Sequence, residues 1–181
     1  MTDSKRFLLL TGIPGVGKTT VLREVADRLP AARLSGFYTE EIRERGIRQG
    51  FRLISFHGRS SSVIAHTDLS STYRVGKYKV DVAAISEAAE ILLKEPQADV
   101  YLLDEIGKME CMSDQFVKTV RRLTSQAVPL VATVSRKGGG FMAEMRNHPQ
   151  AELWEVTPGN REEMPARILD WLSSRLPEQS L

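Results

Sequence analysis

The fold of this chain can be predicted from the segment Phe7-Leu8-Leu9-Leu10-Thr11-Gly12-Ile13-Pro14-Gly15-Val16-Gly17-Lys18-Thr19. Its first four residues form a continuous apolar run, which is typical of a strand buried on both faces. Residues Gly12 to Thr19 match the phosphate-loop pattern G-x-x-x-x-G-K-[ST] in full. Apolar residues then recur at helical spacing as far as Leu29, so the motif lies between a strand and a helix. A glycine-rich turn without a ligand is the alternative, and this context disfavours it.

The residues of this loop have distinct expected roles. Its glycines allow the backbone N–H groups to point inward and form an anion site at the start of a helix. Lys18 is expected to reach the β- and γ-phosphates of a nucleoside triphosphate, and Thr19 to place its hydroxyl on Mg²⁺. Mg²⁺ keeps its remaining ligands as phosphate oxygens and water. The loop therefore predicts a site for a nucleoside triphosphate with its magnesium ion.

A second segment with expected chemistry is acidic, because Asp104 and Glu105 directly follow the apolar run Val100–Leu103. In phosphate-loop proteins an acid at this place holds Mg²⁺ or its bound water, which is the role expected of Asp104. Glu105 can orient or deprotonate the water that attacks the γ-phosphate. A plain loop start is the alternative, but the complete phosphate loop favours the functional interpretation.

Charged residues near this acidic pair leave several roles open. Asp104-Glu105-Ile106-Gly107 fits the D-x-x-G of GTPase switches, but the match is weak and no guanine-reading N-K-x-D occurs in the sequence. For Lys108 and Glu110, both a surface ion pair and an active-site role remain open. Arg136 and Lys137 follow the next apolar run, and one of them could supply positive charge to the γ-phosphate as an arginine finger in cis would.

The rest of the chain alternates strand and helix patterns. Strands without polar alternation in this order predict a mainly parallel sheet with helices on both faces, an α/β fold of the P-loop NTPase type. Residues 40–80 differ, since short, partly alternating runs predict an inserted antiparallel β meander. Asn160 with Glu163 resembles a capping box and predicts the start of the last helix. Further strands are predicted at Leu34–Thr39, Val100–Leu103, Leu130–Val134 and Leu153–Val156.

Composition sets broader limits on function. The 181 residues fit a single domain, residues 1–181, with a formal net charge of +2. No long basic run supports an obligate nucleic-acid partner, and Arg43–Arg48 is interpreted as a solvated loop. Cys111 is the only cysteine, and no apolar stretch is long enough for a signal or membrane segment. We therefore expect a cytoplasmic protein without a membrane partner; its oligomeric state is open, with a monomer favoured.

Longer motifs carry a resemblance to a known family. These motifs are Gly36-Phe37-Tyr38-Thr39-Glu40-Glu41-Ile42-Arg43, Val75-Gly76-Lys77-Tyr78 and Asp104-Glu105-Ile106-Gly107-Lys108-Met109-Glu110. With the phosphate loop, they make the sequence resemble the small nucleoside-triphosphatase family that includes the cancer-related nucleoside-triphosphatase, over nearly the whole chain. Thr157, Asn160 and Arg161 look like the element that precedes the last helix of that family.

The resemblance implies a RecA-like P-loop fold and slow, Mg²⁺-dependent hydrolysis of several NTPs to NDP and phosphate. Without a base-reading motif, we expect little discrimination among ATP, GTP, CTP and UTP. A kinase that uses residues 40–80 as a lid against water is one alternative, and a binding switch reset by hydrolysis is another. Besides Gly12–Thr19, the resemblance implies nucleotide contacts at Tyr101, Leu102, Leu103, Asp104, Glu105, Ile106, Gly107 and Lys108.

Overall fold

The structure is a computed structural model that describes residues 5–29, 33–56, 60–93 and 98–176. Within these ranges no helix is both long and apolar enough to cross a lipid bilayer. The strands are β1 Phe7–Thr11, β2 Leu34–Glu44, β3 Ile47–Ser55, β4 Ser61–His66, β5 Arg74–Val75, β6 Tyr78–Val80, β7 Val100–Ile106, β8 Leu130–Val134 and β9 Ala151–Glu155. The α-helices are α1 Lys18–Asp27, α2 Val82–Leu92, α3 Asp114–Thr124, α4 Phe141–Arg146 and α5 Met164–Ser173, and Glu110–Met112 forms a 3₁₀ turn.

The described strands form a single nine-stranded sheet in the order β5-β6-β4-β3-β2-β7-β8-β1-β9. Neighbouring strands from β2 to β9 in this order are parallel, whereas β2 pairs with β3 in the antiparallel sense and so do the strands beyond it. The α/β fold class is therefore confirmed. Strand β2 belongs to both parts, so the antiparallel strands extend the parallel sheet at its edge.

The sheet has a hydrophobic core on each face, and strand β1 shows why. Phe7 and Leu9 belong to the core covered by α2, α3 and α4, while Leu8 and Leu10 belong to the core covered by α1 and α5. Because successive side chains of a strand point to opposite faces, a central strand must be apolar at every position. This requirement explains the uninterrupted run that precedes the phosphate loop.

Strand β2 is longer than the sequence indicates. The predicted end at Thr39 is wrong, since the strand continues to Glu44 and pairs with β3 through a hairpin turn at Arg45 and Gly46. Both turn residues have positive φ angles, 47° and 80°, which suit the right-handed twist of a hairpin. The predicted loop Arg43–Arg48 is thus mostly strand, although its arginine side chains do lie at the surface.

The start of the last helix also differs from the prediction. Helix α5 begins at Met164, and Pro165 occupies its first turn, where a missing N–H costs nothing. Asn160 instead belongs to a turn before the helix, because its side chain accepts a hydrogen bond from the backbone N–H of Thr157 at 2.8 Å and donates one to the carbonyl of Glu155 at 2.9 Å. The capping-box interpretation is therefore wrong.

Candidate nucleotide and catalytic site

The candidate site lies where strands β1, β7 and β8 end at their carboxyl edge. In open parallel sheets this edge is the usual place for ligands, because loops diverge there and helices begin. The phosphate loop connects β1 to α1, and Gly15 and Gly17 adopt φ angles of +77° and +110°, which L-residues with side chains rarely adopt. A Cβ at Gly12 would lie 2.6 Å from the carbonyl oxygen of Val156. Glycine is thus required for the conformation at two positions and for space at a third.

The side chain of Lys18 turns back into the phosphate loop. It is buried, and its Nζ donates hydrogen bonds to the carbonyl oxygens of Gly12 at 3.3 Å and Ile13 at 3.4 Å. These contacts are long for hydrogen bonds, so the ammonium group is held loosely inside the curve of the loop. A compact cation at this place suits the oxygens of a triphosphate.

Asp104 is the centre of a buried hydrogen-bond network. Its side chain is 3% exposed, and three threonines from α1, β8 and β2 contact it. Thr19 Oγ1 donates to Oδ2 at 2.6 Å, and Thr133 Oγ1 donates to Oδ1 at 2.6 Å. Thr39 donates from its backbone N–H to Oδ2 at 3.4 Å and from its hydroxyl to the Asp104 carbonyl at 2.7 Å. Hydrogen bonds from both sides of the carboxylate fix its direction.

Neither Thr39 nor Thr133 was predicted to be functional. Thr133 stands in an otherwise apolar run and is completely buried, so an unexplained hydroxyl in a core strand was the available signal. Thr39 is part of the motif used for the family resemblance, but single threonines at strand ends are too common to indicate a role.

Glu105 lies beside this network and is only partly buried. Ser135, directly after β8, donates a hydrogen bond from Oγ to Oε1 of Glu105 at 2.9 Å. Burial raises the pKa of Glu105, and the negative charge of Asp104 raises it further, while Ser135 and the charge of Lys18 act in the opposite direction. A raised pKa makes the carboxylate a stronger base, which suits proton transfer from water.

Glu110 occupies an unexpected position. It is 5% exposed, whereas Lys108 is exposed, so the surface ion pair considered for these residues is wrong. Burial raises the pKa of Glu110 to about 8, and the charges of Glu105 and Asp104 add to the effect. A Cβ at Gly107 would lie 2.8 Å from both Oε1 of Glu105 and Oε2 of Glu110, so the two carboxyl groups are close neighbours.

Arg136 and Lys137, considered as a finger in cis, are both exposed. Arg136 lies 3.8 Å from Glu155 Oε1 of β9, and a cis-finger role for either residue stays a prediction. Arg146 of α4 fixes the loop that carries them, since it donates to the carbonyl oxygens of Ser135 at 2.6 Å and Gly138 at 2.5 Å. The sequence offered no signal for this anchoring arginine.

Several residues of β7 expected to contact nucleotide have side chains inside the two cores. Tyr101, Leu103 and Ile106 belong to the core beneath α2 and α3, and Leu102 belongs to the opposite core. Their side chains are therefore unavailable to a ligand at the sheet edge, and only the strand end at Asp104 and Glu105 presents polar groups there.

The oxygen atoms at the site fit a magnesium ion. Thr19 Oγ1 and Asp104 Oδ2 lie 2.6 Å apart, and Mg²⁺ prefers hydroxyl and carboxylate oxygens to nitrogen or sulfur. Within the part of the chain that the structure describes, no cluster of three His, Cys, Asp or Glu side chains could hold a metal by itself. This small set of protein oxygens matches nucleotide-bound Mg²⁺, whose other ligands are phosphate oxygens and water.

The turn between β9 and α5 packs against the phosphate loop. The backbone N–H of Val156 donates to the carbonyl of Thr11 at 2.7 Å. A Cβ at Gly17 would lie 3.8 Å from Cδ of Arg161. The turn is fixed by the side chain of Asn160 described above, so Arg161 is carried by an ordered segment.

Comparison with known proteins places these features in context. A family model described as NTPase matches residues 7–169 of this chain. The nucleoside-triphosphatase THEP1 of Thermotoga sp. (strain RQ2) is 37% identical over 167 residues, which cover 91% of this chain and 94% of that protein. The crystal structure of THEP1 from Aquifex aeolicus superposes with a TM-score of 0.81 at 35% identity, covering 92% of this chain and 98% of that chain. The solution structure of a human cancer-related nucleoside triphosphatase gives a TM-score of 0.81 at 31% identity, covering 95% and 100%.

Proposed function

The chain belongs to this NTPase family and is a nucleoside-triphosphate phosphohydrolase, and on that premise we propose that it hydrolyses Mg²⁺-bound NTPs to NDP and phosphate without strong preference for the base. The observation that carries the proposal is the position of Asp104. Its carboxylate joins the first turn of the phosphate-loop helix to β7 and β8, and Glu105 follows it directly. Phosphate-binding groups and a base for water thus meet at one edge of the sheet.

Different groups of the site bind the phosphates and the magnesium ion. Inward-pointing N–H groups of the loop and the ammonium of Lys18 bind the β- and γ-phosphates. Thr19 and Asp104 would hold Mg²⁺ directly or through its water. The ion, when bound, supplies positive charge that offsets the charge developing on the transferred phosphoryl group. Thr39 and Thr133 position Asp104, since both donate to it from opposite sides.

Glu105 is the base in the proposed reaction. The oxygen of a water molecule forms a bond to the γ-phosphorus while the bond from that phosphorus to the β,γ-bridging oxygen breaks. The water loses a proton to the carboxylate of Glu105, and the bridging oxygen leaves with the NDP. The hydrogen bond from Ser135 Oγ at 2.9 Å occupies Oε1 and so leaves Oε2 as the freer acceptor.

The fold supports hydrolysis over transfer to a second substrate. Residues 40–80 were the candidate lid of a kinase, but β3 and β4 are hydrogen-bonded into the same sheet as β2 and β7. A lid that excludes water must move relative to the site, and strands continuous with the site are poorly suited to such motion.

The proposal is tested with the variants Glu105→Gln and Asp104→Asn. Glu105→Gln keeps the size of the side chain but loses its basic carboxylate, so kcat should fall on the order of 10²-fold or more while NTP affinity changes little. Asp104→Asn should instead raise the Mg²⁺ concentration needed for half-maximal rate. Phosphate release from the four common NTPs across a Mg²⁺ titration measures both effects.

Glu87→Gln is the control, because Glu87 is exposed on α2, a helix that carries none of the groups of the network. It should behave like the wild type. Hydrolysis by Glu105→Gln at the wild-type rate would refute the role of Glu105 as base. Transfer of phosphate to an added acceptor in preference to water would instead favour a kinase.

A further inference from the structure

The sheet order indicates where the base of a bound nucleotide must lie, given the proposed function. The groups assigned to Mg²⁺ and the attacking water, Asp104, Glu105 and Thr133, are carried by β7 and β8 on one side of β1. Strand β9 lies on the other side of β1. A triphosphate on the loop has its γ-phosphate beside β7 and β8, so its α-phosphate and nucleoside extend toward the turn that follows β9.

Arg161 is the cation on that turn. Its Cδ would be 3.8 Å from a Cβ at Gly17, the residue directly before Lys18, so the side chain runs along the start of α1. Its position is set by the backbone, since Arg161 N–H donates to the carbonyl of Thr157 at 3.1 Å. Its side chain is the one that lies against Gly17 of the phosphate loop from the β9 side.

The guanidinium of Arg161 is accessible to a ligand. It pairs with the adjacent residue Glu162, with Nε of Arg161 3.1 Å from Oε1 of Glu162, and the side chains are 47% and 84% exposed. An exposed pair of this kind contributes little free energy and is readily exchanged for another partner. The side chain is therefore not committed to a structural role.

We infer that Arg161 stacks its guanidinium plane on the base of the bound nucleotide. A planar, delocalised cation binds the face of an aromatic ring, and every nucleobase offers such a face. Stacking of this kind does not read the hydrogen-bonding edge of the base. It would give affinity for the nucleoside while tolerating all four bases, in agreement with the proposed broad specificity.

The inference is tested by separating base contacts from phosphate contacts. Binding of ADP, GDP, CDP and UDP, and of pyrophosphate as the probe without a base, is measured by calorimetry for wild type, Arg161→Ala and Arg161→Lys. Arg161→Ala should weaken the binding of all four nucleotides by about tenfold, which is within the range for loss of one stacking contact. The affinity for pyrophosphate should be unchanged. Arg161→Lys keeps the charge without the plane, so nucleotide binding should remain several-fold weaker than in the wild type.

Arg28→Ala is the matched control, because Arg28 is 45% exposed and pairs with a neighbouring glutamate, Glu24, at the far end of α1. It should bind all ligands like the wild type. If Arg161→Ala lost equal affinity for pyrophosphate and for nucleotides, or if Arg161→Lys bound nucleotides like the wild type, Arg161 would contact phosphate and the inference would be wrong. Unchanged binding by Arg161→Ala would also overturn it.

The same proteins keep this inference distinct from the proposed function. Phosphate release from ATP by the wild type tests hydrolysis alone. In Arg161→Ala, KM should rise with kcat nearly unchanged, because a contact to the base is equal in the ground and transition states. If the wild type hydrolyses ATP and Arg161→Ala has an unchanged KM, the stacking contact is refuted. The proposed hydrolysis is not affected by that result.

Discussion

Glu110→Gln should remove much of the pH dependence of folding stability in this protein. Burial raises the pKa of Glu110 from 4.5 to about 8. Between these values the folded chain keeps the proton on Glu110 and the unfolded chain loses it. The stabilising contribution is therefore complete below about pH 4.5 and is lost as the pH rises through about 8, so stability should fall with increasing pH in this window.

The magnitude follows from linkage. While one proton is released on unfolding, each pH unit lowers the free energy of unfolding by about 1.4 kcal/mol. From pH 5.5 to 7.5 the free energy of unfolding of the wild type should fall by about 3 kcal/mol relative to that of Glu110→Gln, because the glutamine side chain cannot titrate. Urea unfolding of the nucleotide-free proteins, followed by circular dichroism at several pH values, measures this difference. Effects of Glu105 and other groups are common to both proteins and largely cancel.

Glu87→Gln again serves as the control, because removal of this exposed carboxylate should leave the pH dependence of the wild type unchanged. Parallel stability curves for wild type and Glu110→Gln would refute the reasoning. They would mean that Glu110 is ionised in the folded protein and that its burial is compensated by donors beyond the backbone N–H groups of Gly107 and Glu110.

Three further outcomes are expected. Lys18→Ala should abolish turnover and weaken NTP binding, because it deletes the charge facing the β- and γ-phosphates; phosphate release and calorimetry test this, and wild-type turnover would contradict it. Thr133→Val keeps the shape of a buried side chain but removes its 2.6 Å hydrogen bond to Asp104, so the free energy of unfolding in urea should fall by about 2 kcal/mol; an unchanged value would mean that the bond contributes nothing. Gly36→Ala should lower stability by about 3 kcal/mol or more, because φ is +123° and a Cβ would overlap a carbonyl of β7, whereas Gly139→Ala, with open space around it, should be nearly neutral in the same assay.

The parts of the fold that the sequence predicted are those controlled by local patterns. The apolar run Phe7–Leu10 and the glycines after it are typical of one local structure, a buried strand followed by an anion-binding loop. The end of β2 could not be predicted in the same way, because four of the five residues Glu40–Glu44 are charged and the segment has little alternation of apolar and polar residues. Their strand conformation depends on pairing with β3, which local sequence does not show.

The candidate site was predictable where it consists of the phosphate loop and the acidic pair that follows β7. Asp104 and Glu105 were identified because they follow an apolar strand in a chain that also contains a complete phosphate loop. Thr133 was missed because its partner Asp104 lies 29 residues away in the sequence. Arg146 was missed because its partners are backbone carbonyl groups, which a sequence does not distinguish. For Glu110 a surface position stayed open beside an active-site role because charged residues usually lie at the surface, and its burial depends on how the 3₁₀ turn Glu110–Met112 packs against the sheet.

The position of β1 in the sheet has a consequence for synthesis on the ribosome. Phe7 pairs with Leu130 of β8 and with Ala151 of β9, so this strand leaves the ribosome more than a hundred residues before either partner. At bacterial or eukaryotic translation speeds that interval is roughly 6 to 25 s, during which an apolar strand must remain unpaired. A nascent chain that ends before Leu130 would carry the whole phosphate-loop motif and still lack both strands that hold it in place.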